Sequence, residues 1–146
     1  MNIAVINGPN LNLLGTREPE LYGTTTLAEI DERLRVVGEE LGVALQFSQH
    51  NGEGEIIDAI HQAKGSSNGI LINAGAYTHS SLAIRDALVG VEIPFVEVHL
   101  SNIYARERMR RRSLLAGDAI ATLTGFGAYG YELALRGLVR LLTSRG

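Results

Sequence analysis

Five short apolar runs, each followed by a stretch of different periodicity, leave this chain few ways to fold. Ile3 to Ile6, Val43 to Phe47, Gly69 to Ile72, Phe95 to Ser101 and Ala119 to Leu123 each have the length of a strand. Between them apolar residues recur at helical spacing: Leu27, Ile30, Leu34, Val37 and Leu41, then Ile56, Ile57 and Ile60, then Leu82, Ile84, Ala87 and Leu88. A last helix is expected from Tyr131 to Leu142, and the arginine-rich segment Ala105 to Ser113 reads as helical. Thr26 and Glu29 form a capping box, each able to bond a free backbone N–H, and Gly42 suits a helix C-terminus. Ser80 or Ser81 can cap the helix that follows. Strands alternating with helices predict an α/β fold, a three-layer sandwich around a parallel sheet with right-handed crossovers. For five strands the flavodoxin-like order 2-1-3-4-5 is expected, with strands 1 and 3 adjacent at the switch point.

The 146 residues suit one domain spanning 1–146. A chain 45% hydrophobic and 20% charged is globular rather than disordered. A net charge of −3 argues against nucleic acid as a partner. There is no cysteine, so disulfides, thiolate nucleophiles and cysteine-ligated metals are all excluded. No leader or membrane-length apolar run stands out, and a cytoplasmic protein with no membrane partner is expected. Twelve of the thirteen basic residues are arginine, and Lys64 is the single lysine.

The connection from the first strand to the first long helix, Asn7 to Gly23, far exceeds the usual 2–6 residues of a βα loop. Glycines, prolines and asparagines make it too irregular for one helix, and it also carries Arg17 and Tyr22. Its composition predicts a lid that is mobile when empty and ordered by ligand. In the expected topology it shares a crevice with Asn73–His79 and with the end of the fourth strand, His99–Ser101.

Glu97 and His99 are two apart on a strand and leave the sheet on one face. A carboxylate and an imidazole among apolar strands need partners. The simplest arrangement has Glu97 holding one ring nitrogen of His99 while the other faces the crevice as acid, base or donor. Tyrosine, with a pKa near 10, is a poor base at neutral pH, but a guanidinium such as that of Arg17 beside Tyr22 would lower it. Asn10 and Asn73 suit turns and also stand where ligand hydroxyls or a carbonyl would lie. Arg106, Arg108, Arg110, Arg111 and Arg112 suggest an anion site, with Arg106 and Arg110 on one side of a helix. Gly125-Phe-Gly127-Ala-Tyr-Gly130 spells G-x-G-x-x-G, but the chain ends before a complete βαβ unit, so a tight strand-to-helix turn explains it better. The four histidines lack metal-ligand spacing, and no catalytic metal is expected.

Asn7-Gly-Pro-Asn-Leu-Asn-Leu-Leu-Gly15 with Arg17-Glu-Pro and Tyr22-Gly resembles the opening signature of the type II 3-dehydroquinate dehydratases. So do Asn73-Ala-Gly-Ala-Tyr-Thr-His79, Glu97-Val-His99-Leu-Ser101-Asn and Gly125-Phe-Gly-Ala-Tyr-Gly-Tyr, in the family's order and nearly end to end. The resemblance implies conversion of 3-dehydroquinate to 3-dehydroshikimate through an enolate, the third step of the shikimate pathway, without metal or cofactor. By position it implies Tyr22 as the base at C2, Arg17 as the group lowering its pKa, and Asn10 as holder of a water at the enolate. His99 would protonate the departing C1 hydroxyl with support from Glu97. Asn73, His79, Leu100, Ser101 and Arg110 match substrate-binding positions, the Leu100–Ser101 backbone receiving the carboxylate. Asp86 matches a residue that reaches a neighbouring subunit's site, in trimers assembled into a homododecamer. His50 stands where relatives often carry serine. An imine mechanism, as in the type I enzymes, is not expected, because Lys64 is remote in sequence from every site loop. The competing reading is a non-catalytic flavodoxin-like module binding a nucleotide or a partner through the Gly125–Gly130 turn, which leaves Arg17, Tyr22, Glu97 and His99 unused.

Overall fold

A computed structural model describes residues 1–16 and 18–145, with only the backbone of Leu21 and Tyr22 described. Five parallel strands form one sheet in the order β2-β1-β3-β4-β5: β1 (Asn2–Asn7), β2 (Ala44–Gln49), β3 (Gly69–Asn73), β4 (Phe95–His99) and β5 (Ala121–Thr124). The helices are α1 (Pro19–Tyr22), α2 (Leu27–Leu41), α3 (Glu53–Ala63), α4 (Leu82–Val91) and α5 (Tyr129–Arg145). The expected strand order is therefore the observed one.

Alternation along the strands sends side chains to two cores. Ile3, Val5, Leu71, Val96 and Val98 pack with Ile30, Leu34 and Val37 of α2 and Leu135 and Leu138 of α5. Ala4, Ile6, Ile70, Ile72 and Phe95 pack on the other face with Ile56 and Ile60 of α3 and Ile84, Leu88 and Val91 of α4. Each fully buried Ile or Leu contributes about 1.5–3 kcal/mol of transfer free energy, so these layers dominate stability. β1, β3 and β4 are buried throughout their apolar length, whereas β2, at the sheet edge, is only half covered.

Several local expectations change. The Thr26 side chain accepts from the Glu29 N–H at 3.2 Å, but the Glu29 carboxylate takes the Thr26 hydroxyl, so only half of the capping box forms. Ser81 is the N-cap of α4, accepting from the Ile84 N–H. Leu82 does not join the core face; it is 62% exposed at the outer side of the first turn, and Val91 completes that face instead. β5 starts later than expected because the Ala119 N–H closes a turn on the Leu115 carbonyl. α5 runs longer at both ends.

The arginine-rich segment is not an α-helix. It forms two single 3-10 turns, Ile103–Ala105 and Arg108–Arg110, separated by extended backbone at Arg106 and Glu107. Its side chains find separate partners: Arg106 bonds the Ser101 hydroxyl, Arg110 pairs with Glu107, and Arg111 Nε donates to the Arg106 carbonyl. These partners are local, three to five residues away along the chain.

Candidate active site

The crevice opens beyond the carboxyl ends of β1, β3 and β4, at the switch point of the sheet. Asn10, Leu11, Leu14, Asn73, His79, His99, Leu100, Ser101, Arg106 and Arg110 are among the residues lining it. Loops distant in sequence thus meet as the topology required, and Arg106 and Arg110 reach the same space without sharing a helix.

Its floor is a buried polar bridge. Asn7 and Asn73 stand in register at the ends of β1 and β3. The hydroxyl of Tyr131, from α5, donates to Asn7 Oδ1 at 2.6 Å and accepts from Asn73 Nδ2 at 3.0 Å. Complete burial pushes the Tyr131 phenol far above its usual pKa, so it acts as a neutral hydrogen-bonding group. Asn73 Oδ1 also accepts from the Gly75 N–H at 3.1 Å, which starts the turn carrying His79. Asn73 therefore lines the crevice with one amide hydrogen and its carbonyl already engaged.

The walls approach closely. Gly8 N donates to Asn73 O at 2.8 Å, and a Cβ on Gly8 would lie 2.5 Å from the Ala74 carbonyl oxygen. Asn10 sits in the left-handed region at φ 68°, where its N–H donates to Asn51 Oδ1 at 3.0 Å. Gln49 Nε2 bonds both Gly8 O and Asn51 Oδ1, and the Tyr77 hydroxyl bonds Asn51 O. The loop after β2 thereby braces both neighbours. His50 turns away from the crevice, its Nδ1 lying 3.7 Å from Glu55 Oε2.

On β4, Glu97 and His99 are both buried and share one face. His99 Nε2 lies 2.5 Å from Glu97 Oε2, leaving Nδ1 as the ring nitrogen for the crevice, which is the arrangement the sequence suggested. Glu97 Oε1 accepts from the Ser113 hydroxyl at 2.7 Å. The His79 ring stacks at 6.4 Å from that of His99. Its Nδ1 lies 2.7 Å from the Arg112 carbonyl, and since a carbonyl only accepts, that nitrogen carries the proton. Burial, aided by the positive charges of His99 and Arg110, lowers the His79 pKa below its usual value, against the raising effect of the Arg112 carbonyl and Glu97.

The carbonyls of the strand's exit are held from below. Gly125 N donates to His99 O, Gly127 N to Leu100 O at 2.8 Å, and the Thr124 hydroxyl to Ser101 O at 2.9 Å. The G-x-G-x-x-G stretch is thus a strand-to-helix turn, as expected, with Gly125 and Gly127 at φ 97° and 62°.

Two expectations fall outside what is described: Arg17 altogether, and the side chain of Tyr22, whose backbone closes α1. Asp86 is described but is not brought to this crevice; it sits exposed on α4, bonded by Arg85 Nη1 at 3.1 Å. Lys64 ends α3 at the opposite end of the sheet, where β3 begins. Sequence reasoning did not single out Tyr131, Ser113 or Asn51. Asn7 and Asn73 ending two apolar strands were the one signal that a buried polar partner was needed. Among the described residues, no three histidine or acidic side chains gather as metal ligands would.

The fold and this crevice define a flavodoxin-like α/β protein with a buried Glu97–His99 pair at its switch point. The family model for class II dehydroquinases matches residues 1–139, and the chain belongs to that family. It is 58% identical over 142 residues to the 3-dehydroquinate dehydratase of Prochlorococcus marinus strain NATL1A, covering 97% of this chain and 98% of the relative. It is 52% identical over 143 residues to the catabolic 3-dehydroquinase 2 of Neosartorya fischeri, covering 98% of this chain and 95% of that one. The crystal structure of type II dehydroquinase from Propionibacterium acnes superposes with a TM-score of 0.91 at 44% identity, covering 95% of this chain and 96% of that one.

Proposed function

We propose that residues 1–146 act as one catalytic domain, a type II 3-dehydroquinate dehydratase that reversibly removes water from 3-dehydroquinate to give 3-dehydroshikimate, the third step of the shikimate pathway. The observation that carries this reading is the buried Glu97–His99 pair, its free ring nitrogen at the crevice, in a chain that matches the family nearly end to end.

An anti elimination next to a ketone needs a base for the C2 proton, donors for the enolate and an acid for the leaving hydroxyl. Tyr22 would be the base, made acidic enough by Arg17, and Asn10 would hold the water that stabilises the enolate oxygen. The His99 imidazolium, its charge balanced by Glu97, would give a proton from Nδ1 to the C1 hydroxyl. That group departs as water while the enolate electrons form the conjugated enone. Asn73, His79, Arg110 and the Leu100–Ser101 backbone would bind substrate, the last receiving the carboxylate. This chemistry uses no metal or cofactor. Asp86 would serve the crevice of a neighbouring copy, within trimers that build a homododecamer in the cytoplasm.

The test is an ultraviolet assay of chelator-treated protein with 3-dehydroquinate, following the enone absorbance. Rapid growth is expected, and His99→Ala should lower kcat by about 10²–10⁴-fold with the fold intact. Tyr22→Phe should be comparably slow. A flat trace from folded, assembled protein would overturn the reading.

A further inference from the structure

Three consecutive residues after the arginine-rich turns touch every histidine-bearing element of the crevice. The Arg112 carbonyl accepts from His79 Nδ1, the Ser113 hydroxyl donates to Glu97 Oε1, and the Leu114 N–H donates to the Thr78 carbonyl at 2.9 Å. The Ser113 oxygen also accepts from the backbone N–H groups of Leu115 and Ala116, each at 3.1 Å. With its lone pairs committed to those two donors, the single hydroxyl hydrogen has one destination, the Glu97 carboxylate. Glu97 in turn has one oxygen on Ser113 and the other on His99.

We propose that Ser113 is a positioning residue for the acid step, acting on His99 through Glu97 and linking that pair to the segment that carries Arg106 and Arg110. The inference rests on the proposed role of His99 as the acid. Removing the Ser113 donor leaves a buried carboxylate oxygen without its partner, so Glu97 bonds the Nε2 side more strongly and stabilises the imidazolium, which then holds its Nδ1 proton more tightly. A proton held more tightly is a weaker acid at neutral pH and persists to higher pH. Among the described residues, the other charged or titratable groups facing the pair are His79 from the turn after β3 and Arg106 and Arg110 from the 102–113 segment. Ser113→Ala leaves all of them in place, so a shift reports on Glu97.

The experiment is the pH profile of kcat for the parent, Ser113→Ala and Ser113→Thr, with 3-dehydroquinate as substrate. Ser113→Ala should lower kcat at neutral pH roughly tenfold and move the alkaline limb up by about one pH unit. Ser113→Thr, which keeps the hydroxyl, should restore both. In a Glu97→Gln background, Ser113→Ala should add no further shift. If the alanine variant does not fold, Ser113→Cys, nearly the same shape with a weaker donor, should show a smaller shift in the same direction. An unmoved limb in the folded alanine or cysteine variant, or the same loss with and without Glu97, would overturn the proposal. If His99→Ala itself keeps near-parent turnover, the assignment of the acid fails instead.

Discussion

At the scale of the single residue, the crevice depends on groups whose value lies in what they hold. Tyr131 never reaches solvent, yet its hydroxyl joins Asn7 to Asn73 and so ties the ends of two neighbouring strands. Tyr131→Phe would leave Asn7 Oδ1 buried without its donor and Asn73 Nδ2 without its acceptor. A loss of about 1–3 kcal/mol is expected, measured by urea unfolding, together with a higher KM as Asn73 loses its anchor. Unchanged stability would mean that water or another donor replaces the phenol. The Glu97–His99 pair was legible in the sequence because a strand with two polar residues on one face is unusual in a doubly covered sheet. Tyr131 was not legible: an aromatic at helical spacing looks like ordinary core until the strand ends beneath it are placed.

Between elements, a close contact joins the chain leaving β1 to the chain leaving β3. Gly8 sits there because backbone passes backbone with no room for a methyl group. Gly8→Ala must therefore separate the two walls, breaking the Gly8–Asn73 bond and moving Asn10 away from Asn73. Destabilisation of about 1–3 kcal/mol and a marked fall in kcat/KM are expected, and thermal unfolding with steady-state kinetics checks both. The sheet order and the four long helices were readable from periodicity, with the caps at Thr26 and Ser81 marking α2 and α4. The arginine-rich segment was misread as helical for a physical reason. Its spacing permitted a helix, but the backbone is extended at Arg106 and Glu107, and Arg106 and Arg111 each bond a group five residues back, Ser101 and the Arg106 carbonyl, which helical spacing does not reveal.

For the whole molecule, the open question in the chain is Asp86, which its own crevice does not use. In the assembly proposed above, each crevice combines one copy's Tyr22 and His99 with another copy's Asp86. Mixing inactive Tyr22→Phe chains with Asp86→Ala chains, after dissociation and reassembly, should restore activity that neither pure preparation has. No recovery from mixed oligomers would show that sites are complete within one copy. A further consequence follows from where the chain keeps its single lysine. Lys64 lies at the end of α3, at the end of the sheet opposite the copy's own crevice and beside Asp86. With no thiol and no other lysine in the sequence, a reagent directed at side-chain amines can attach a fluorophore only at Lys64. A label there leaves the copy's own crevice untouched and, in the assembly proposed above, sits beside the residue that serves a neighbour's, so it would report on how the copies meet.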